Sequence, residues 1–201
     1  PLPGEDHLSS LFAAPYASAE YLDVLAGLIA GVRRERKLEN EIAIAADEWN
    51  VWYREPTSPL EERYDLADAL VVASFFNLLR KRASSVKLAN LNVIAPIFTS
   101  DDGLFLQTIY GPLLAAALYS GPALVRCDVE SDGFASKRVL AGSVPYLDGL
   151  ATLDAERKRL FLSLVNMHAR EAAAVEIRLR EASIGGEVKA HVVAGERADL
   201  T

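Results

Sequence analysis

The chain has few of the residues that build disulfides, metal sites and membrane spans. Its 201 residues include one cysteine, one methionine and three histidines. The single cysteine, Cys127, excludes an internal disulfide and suits a reducing compartment. The histidines are far apart and lack the spacing of metal ligands, so no metal site is predicted. The longest apolar stretch, 66–79, is interrupted by polar residues and falls short of the roughly 20 residues that span a bilayer, so no membrane insertion is predicted.

The chain also has fewer basic than acidic residues, 21 against 28. The formal net charge is -7, and the basic residues form no long stripe. The two basic clusters, 33–37 and 80–82, fall where helices are predicted to end, and cations there offset the helix dipole. Nucleic-acid binding is therefore not predicted.

The sequence has no initiator methionine. Its only methionine is Met167, and the opening residues, 1–4, have the character of neither a signal peptide nor a transit peptide. We therefore expect the sequence to be part of a longer protein, and a cytoplasmic one. A hydrophobic fraction of 51% is ample for a packed core, and the length fits one large domain or two small ones.

The first half of the chain alternates predicted helices and strands. This alternation is typical of a βα barrel. Gly111-Pro112 is expected to kink or break the last helix. The predicted elements are a helix over 19–37 capped by Ser18, a buried parallel strand over 41–46, a largely buried helix from the cap Asp65 to about Arg82, a strand over 86–89, and a helix over 104–119.

The second half is predicted to consist of strands. Residues 154–158 have the polar character of a hairpin connection, and several short strands at this spacing favour an antiparallel sandwich. The predicted strands cover 123–129, 146–153, 160–166, 174–181 and 187–194. We place a domain boundary near Gly121-Pro122, which divides the chain into 1–121 and 122–201.

Chemistry concentrates in residues 47–53, which read DEWNVWY. A buried carboxylate must be hydrogen-bonded or lose its charge, and flat aromatic faces beside carboxylates suit a sugar-binding cleft. Adjacent side chains on a strand point to opposite faces, so at most one of Asp47 and Glu48 is expected to be catalytic. The alternative interpretation is a solvated strand end with both tryptophans in the core.

This heptapeptide resembles the nucleophile motif of glycoside hydrolase family 51, the retaining α-L-arabinofuranosidases. Further segments resemble the same family in the same order, at 64–73, 86–90, 92–97, 107–108, 110–112, 144–148 and 164–166 with His168. The resemblance implies an α/β plus all-β protein. Its first part would be the last two βα units of a TIM (β/α)8 barrel, and its second part a jelly-roll-like antiparallel β-sandwich.

The resemblance also implies an activity and its residues. Glu48 corresponds to the nucleophile that forms an arabinosyl-enzyme intermediate, Trp52 to an aromatic that lines the sugar pocket, and Asp47 to a residue that supports Glu48. The reaction would be hydrolysis of terminal α-L-arabinofuranosyl groups in arabinose-containing polysaccharides and oligosaccharides. The resemblance implies no metal and no organic cofactor.

The sequence departs from the family pattern in three places. The family's Asn-Glu acid/base motif is missing upstream, because Asn40-Glu41 lies at the start of the same predicted strand as Glu48. A stretch with a sugar-binding glutamine is missing after Asn90, and the chain ends at 199–201 with a sandwich strand still expected. We therefore expect the isolated chain to be inactive, to expose a large apolar patch, and to associate with the missing N-terminal barrel part or as a homo-oligomer.

Two alternatives remain open at this point. The chain could be a non-catalytic split or decayed module that associates with a partner chain. It could also belong to another glycosidase of the same barrel clan, such as an endoglucanase.

Overall fold

Helices dominate the first half of the structure and strands the second. A computed structural model describes residues 3–52, 64–92, 96–180 and 183–195. The helices are α1 (His7–Phe12), α2 (Ala14–Arg36), α3 (Leu66–Lys81) and α4 (Tyr110–Leu118). The strands are β1 (Ile44–Trp49), β2 (Val86–Leu91), β3 (Ile97–Ser100), β4 (Gly103–Leu106), β5 (Ala123–Val125), β6 (Gly133–Ala135), β7 (Ser143–Pro145), β8 (Leu147–Asp154) and β9 (Arg159–Asn166).

The strands of the two halves pair differently. β1 and β2 form a parallel pair, connected through α3. Every later pairing is antiparallel: the hairpin β3–β4, the three-stranded sheet β5–β8–β9, and the pair β6–β7. The described chain is thus a mixed helix and strand structure with a sheet-rich C-terminal part.

Helix α3 is the centre of the molecule, as its apolar sequence predicts. The Asp65 side chain accepts from the backbone amide of Asp68, and the Asp68 side chain accepts from that of Asp65, at 3.0 and 2.8 Å. This reciprocal capping fixes where the helix starts. Val71 and Val72 are fully buried, and the helix contacts α1, α2, α4 and the β8–β9 sheet. The predicted cap and the predicted burial are both confirmed.

Two apolar clusters meet on α3. The larger one joins α1 and α3 to the second half and includes Phe12, Val72, Ile109, Val144 and Met167. The smaller one joins α2 and α3 to the parallel strands, and consists of Ile44, Leu79 and Val86 with Leu22, Leu25, Ala26, Ile29, Ala46 and Trp49 packed around them. The parallel pair is therefore covered by helices on one face.

Helix α2 is longer than predicted. It begins at Ala14 instead of Ala19, and Ser18 lies inside it and is not its N-cap. Pro15 stands in its first turn, where the missing N–H costs nothing and the fixed φ favours a helix start. The helix ends at Arg36, and the following C-cap residue, Lys37, has a left-handed φ of 51°.

Strand β1 is parallel as predicted but lies three residues later and is mostly exposed. It covers Ile44–Trp49 instead of 41–46, and only Ile44 is buried. A parallel strand is buried when both faces and both edges are covered. Within the described residues β1 pairs with β2 alone, so its second edge and the face away from the helices meet solvent.

The predicted helix over 104–119 is wrong in its first part. Gly103–Leu106 forms β4 of a hairpin with β3, and α4 begins only at Tyr110. Gly111 and Pro112 therefore lie in the first turn of α4, where proline removes no helical hydrogen bond and forces no kink.

Of the five strands predicted in the second half, three are confirmed. They are β8, β9 and β5, although β5 ends at Val125 instead of 129, and the hairpin connection over 154–158 is confirmed as well. The strands over 174–181 and 187–194 are wrong for the residues described, 174–180 and 187–194. Apolar alternation alone does not make a strand when no neighbouring strand supplies a ladder.

None of the described helices is both long and apolar enough to cross a membrane.

Candidate active site at the ends of the parallel strands

The two adjacent carboxylates lie within β1, near its carboxyl end. Glu48 is the penultimate residue of the strand, and both Asp47 and Glu48 are exposed. Asn90 Nδ2 on β2 donates to Asp47 Oδ1 at 3.2 Å and so joins the two strands at this level. The carboxyl edge of a parallel sheet is where α/β proteins place their sites.

The ladder between β1 and β2 changes register at these residues. Ala46 pairs with Ala89 and Trp49 with Leu91, so three residue steps on β1 match two on β2. One extra residue breaks the strict alternation of side chains and re-aims them, as bulges beside active sites do. Ala46 and Trp49 both pack toward the helices, while Asp47 and Glu48 between them are exposed. This change of register was not predicted from the sequence.

Trp49 anchors the strand end to α3. Its ring centroid lies 5.3 Å from that of Phe75 and 5.1 Å from that of Phe76, the latter edge-on. Its indole Nε1 is buried and has no hydrogen-bond partner among the described residues. For Trp49, the core interpretation is correct.

A side-chain network closes the strand ends. Asn50 Nδ2 donates to the backbone oxygen of Asn92 at 2.9 Å and to Tyr64 Oη at 3.0 Å. Tyr64 Oη donates in turn to the oxygen of Val51 at 3.2 Å, and the amide of Asn92 donates to the oxygen of Trp49. These bonds hold the backbone after Glu48 and the backbone after β2 together.

Tyr64 extends this network to the start of α3 and α4. Its backbone amide donates to Gln107 Oε1 at 3.1 Å, and Thr108 Oγ1 lies 2.8 Å from the carbonyl oxygens of both Tyr64 and Asp65. Tyr64 itself is 2% exposed. Sequence reasoning missed the roles of Asn50 and Tyr64, although Asn50 lies within the heptapeptide.

Trp52 is separate from this packing. Its side chain is 65% exposed, so it is not a core residue among the described parts of the chain. The next residue, Tyr53, and the rest of 53–63 lie outside the described residues.

Two pockets of the described chain lie away from this strand end. One of about 400 Å³ lies between α2, α3 and residues 139–143, and one of about 210 Å³ lies beside α1; neither is lined by Asp47, Glu48 or Trp52. Charged groups of the larger pocket are already paired. Arg82 makes two bonds to Asp23, at 2.7 and 2.6 Å, and Glu20 accepts from two backbone amides.

A buried carboxylate connects α3 to the C-terminal sheet. Asp148 on β8 is 1% exposed and accepts from Asn77 Nδ2 at 2.8 Å and Lys81 Nζ at 2.7 Å. Burial, with a further contribution from the Asp148 charge, raises the pKa of the nearby Tyr16 phenol. The bonds from Asn77 and Lys81 to Asp148 thus hold α3, the helix against which Trp49 packs, to β8 in the second half.

Known proteins resemble this chain in sequence and in structure. A family model for the C-terminal domain of α-L-arabinofuranosidases matches residues 47–201. The chain belongs to the α-L-arabinofuranosidase family. The resemblance seen in the sequence is thereby confirmed.

Among the curated arabinofuranosidases, relatives resemble nearly the whole chain. An intracellular exo-α-(1→5)-L-arabinofuranosidase of Halalkalibacterium halodurans is 29% identical over 94% of this chain and 41% of its own length. A probable α-L-arabinofuranosidase C of Aspergillus niger is 31% identical over 95% of this chain and 40% of its own length. The chain therefore spans about two fifths of the length of these relatives.

Solved arabinofuranosidase structures superpose on it as well. The enzyme of Thermotoga maritima, determined as an arabinose complex, matches with a TM-score of 0.71 and 32% identity over 85% of this chain and 37% of that one. The GH51 enzyme of Thermotoga petrophila matches with a TM-score of 0.65 and 34% identity over 80% and 35%. The roles of Glu48, Asp47 and Trp52 within the family fold stay predictions.

Proposed function

We propose that this chain is the C-terminal part of a retaining α-L-arabinofuranosidase and that Glu48 is its nucleophile. The observation that carries the proposal is the position of Glu48: exposed, next to the carboxyl end of a parallel strand, at a change of register, in a chain of this family. The substrate is proposed to be terminal α-L-arabinofuranosyl groups of arabinose-containing oligosaccharides or polysaccharides. Trp52 is proposed to contact the sugar.

Retention requires two carboxyl groups on opposite sides of one glycosidic bond, roughly 5 to 5.5 Å apart. Glu48 would attack the anomeric carbon and form a covalent arabinosyl ester, while an acid protonates the departing oxygen. The same acid, now a base, would then take a proton from the water that cleaves the ester. Asp47 is held by Asn90 and exposed beside Glu48, which fits a supporting role. The acid/base group is proposed to come from polypeptide outside this chain.

The proposed architecture is the end of a TIM barrel followed by a β-sandwich, with the boundary near Gly121-Pro122. Consecutive α2, β1, α3 and β2 with a parallel pair support the barrel part, and the antiparallel sheets after α4 support the sandwich. Gly121 lies between α4 and β5. A Cβ at Gly121 would lie 2.4 Å from the Leu153 carbonyl carbon, and the Gly121 amide donates to Thr152 Oγ1. A cytoplasmic location is proposed by likeness to the relative named intracellular.

The test is hydrolysis of an aryl α-L-arabinofuranoside by the chain alone and together with the N-terminal part of a family member. We expect no measurable turnover by the chain alone, because the acid/base and most of the orienting pocket are proposed to lie outside it, and orientation can account for roughly 7 to 11 kcal/mol of a barrier. We expect turnover in the complex.

Matched variants assign the nucleophile. Glu48→Gln should abolish turnover of the complex, whereas Asp47→Asn should reduce it without abolishing it. Robust hydrolysis by the chain alone would contradict the proposal that the acid/base group lies outside this chain. Turnover that survives Glu48→Gln would show that Glu48 is not the nucleophile.

A second function is favoured by one observation. The outer face of α2 exposes large apolar side chains, as expected for a module that associates with another polypeptide. A complex that forms but never turns over substrate would favour this non-catalytic alternative.

A further inference from the structure

The larger cavity of the described chain lies between α2, the end of α3 and residues 139–143. Its volume of about 400 Å³ falls within the roughly 300 to 1,000 Å³ of small-molecule sites in proteins. The cavity opens to solvent beside Asp23, Ala141 and Ser143, which are exposed. We call it the interhelix pocket.

The interhelix pocket has an apolar floor. Ala19 on α2, Leu78 on α3 and Val139 line it, and all three side chains are buried. Small-molecule sites combine such an apolar surface with a few polar groups that fix the orientation of the ligand. The floor therefore suits a ligand with a carbon-bound face.

The charges around the interhelix pocket are already paired. Both carboxylate oxygens of Asp23 accept from Arg82, at 2.7 and 2.6 Å, and those of Glu20 accept from two backbone amides of the adjoining loop, at 2.7 and 3.2 Å. Lys81 is bonded to the buried Asp148 at 2.7 Å. An incoming anion would face the two carboxylates of α2, and an incoming cation would face the two cations of α3. The pairing therefore favours a neutral ligand.

Two groups of the pocket wall keep hydrogen-bonding capacity. The Tyr16 hydroxyl makes no hydrogen bond to the described residues, and burial, with a further contribution from the Asp148 charge, raises the pKa of this phenol. It therefore stays protonated at neutral pH and can both donate and accept. Lys81 Nζ has three N–H groups, of which one donates to Asp148. Hydroxyl groups of a ligand, which also donate and accept, match this wall.

We infer that the interhelix pocket binds a neutral polyhydroxylated molecule of about monosaccharide size, with its carbon-bound face on the apolar floor and its hydroxyl groups on Tyr16 and Lys81. This is a second sugar-binding site, away from the strand end that carries Glu48. The ligand class follows from the pocket. The choice of L-arabinose as the sugar rests on the proposed function, whose reaction releases it.

The test is an NMR titration of the isotope-labelled chain with L-arabinose. We expect saturable shifts of the Leu140 and Ala141 amides, which are bonded to the pocket residue Glu20. The dissociation constant should be on the order of 1 mM, because each hydrogen bond exchanged with water contributes little net free energy. Inorganic phosphate should leave these amides unshifted. The Trp52 indole reports on the candidate active site in the same spectra.

Three variants locate the bound sugar. Tyr16→Phe keeps the ring and removes the hydroxyl, so it should raise the dissociation constant about three- to tenfold, the effect of one hydrogen bond. Ala141→Trp blocks the pocket mouth and should abolish the shift of the Leu140 amide. Ala155→Trp, at another exposed alanine in the β8–β9 turn, should change nothing. Thermal melting of each variant shows that it is folded.

D-xylose and D-glucose, titrated in the same way, separate the ligand class from the choice of sugar. Pocket shifts with either of them and none with L-arabinose would keep the ligand class and remove its link to the proposed reaction. No pocket shift with any of the three sugars would overturn the inference, as would pocket shifts with phosphate alone.

The variants and the indole signal provide two further ways to contradict the inference. Binding that neither Tyr16→Phe nor Ala141→Trp weakens would place the sugar elsewhere. Shifts confined to the Trp52 indole would remove the interhelix pocket as a sugar site and support the proposed function instead. Turnover by the reconstituted complex tests that function independently of any result at the pocket.

Discussion

Helices α2 and α3 cover the same parallel strands and have very different surroundings. α3 is enclosed by helices and by the C-terminal sheet, and its polar residues Asp68, Asn77 and Lys81 have defined partners. α2 packs along one face and exposes an apolar stripe on the next. The described residues thus enclose α3 and cover α2 on one face. Substitutions in the two helices should therefore behave differently in the isolated chain.

The largest effect is expected for Asp148→Ala. The substitution leaves Asn77 unpaired in a buried position and removes the partner of Lys81, and breaking such a pair typically costs about 3 to 5 kcal/mol. Because the Lys81 side chain is 32% exposed and can reach water, we expect about 2 to 3 kcal/mol in the free energy of unfolding. Urea denaturation measures it. Asp128→Ala, which removes an exposed pair with Arg126, is the control and should cost less than about 0.5 kcal/mol. Equal losses would refute the anchoring role of Asp148.

The most direct comparison of the two helices is Val72→Ala against Val24→Ala. Val72 on α3 is fully buried, and its truncation should lower the free energy of unfolding by about 2 kcal/mol through lost burial and a cavity. Val24 on α2 is 54% exposed, so its truncation should cost less than about 0.5 kcal/mol in the isolated chain. Similar losses from the same denaturation experiment would show that α2 is already covered.

Tyr64→Phe tests the network at the strand ends. The hydroxyl accepts from Asn50 and donates to the Val51 carbonyl in a buried position. Its removal takes the donor from the Val51 carbonyl and one of two acceptors from Asn50 Nδ2, and we expect a loss of about 1 to 2 kcal/mol. Asn50→Ala should cost less in the Tyr64→Phe background than on its own, because the bond between the two side chains is already gone, whereas the bond from Asn50 to the Asn92 oxygen is lost in both cases. Additive losses in this double-mutant cycle would mean that the two side chains act independently.

The smallest effect concerns pH. Hydrogen bonds, above all from the Lys137 amide and also from Ser136, lower the pKa of Glu5 below its usual 4.5. A carboxyl group with a lowered pKa contributes stability that is present above 4.5 and is lost as the pH falls through the folded-state value. NMR titration should show the Glu5 midpoint below 4.5, and Ser136→Ala should raise it. A midpoint at or above 4.5 would contradict the link between the N-terminal residues and the 136–142 loop.

Local signals predicted the parts of the fold that local bonds determine. Helix α3 follows from its cap and its apolar circumference, and both are readable in the sequence. The limits predicted for strand β1 were three residues too early. The true limits depend on which residues pair with β2, and the paired residues are about forty positions apart in the sequence. The hairpin β3–β4 was missed because the apolar spacing of a helix outweighed the turn at Asp101-Asp102.

Like the fold, the candidate site has features that the sequence predicted and features that it did not. The heptapeptide drew attention to Glu48, Asp47 and Trp52 by residue type alone. The change of register at Glu48 depends on the partner strand, and the bond from Asn50 to Tyr64 depends on how the chain returns after the heptapeptide. Such long-range geometry has no local signature, so it required the structure.

The close fit of Gly121 against β8 has a consequence for engineering. A Cβ at this position would collide with the backbone of Leu153 and Asp154, so the segment between α4 and β5 is a packed joint and not a spacer. Inserting a linker there, or exchanging the sheet-rich C-terminal part for that of a distant relative, would separate surfaces that now touch. Chimaeras of this family should keep the segment from α4 through β8 from a single parent.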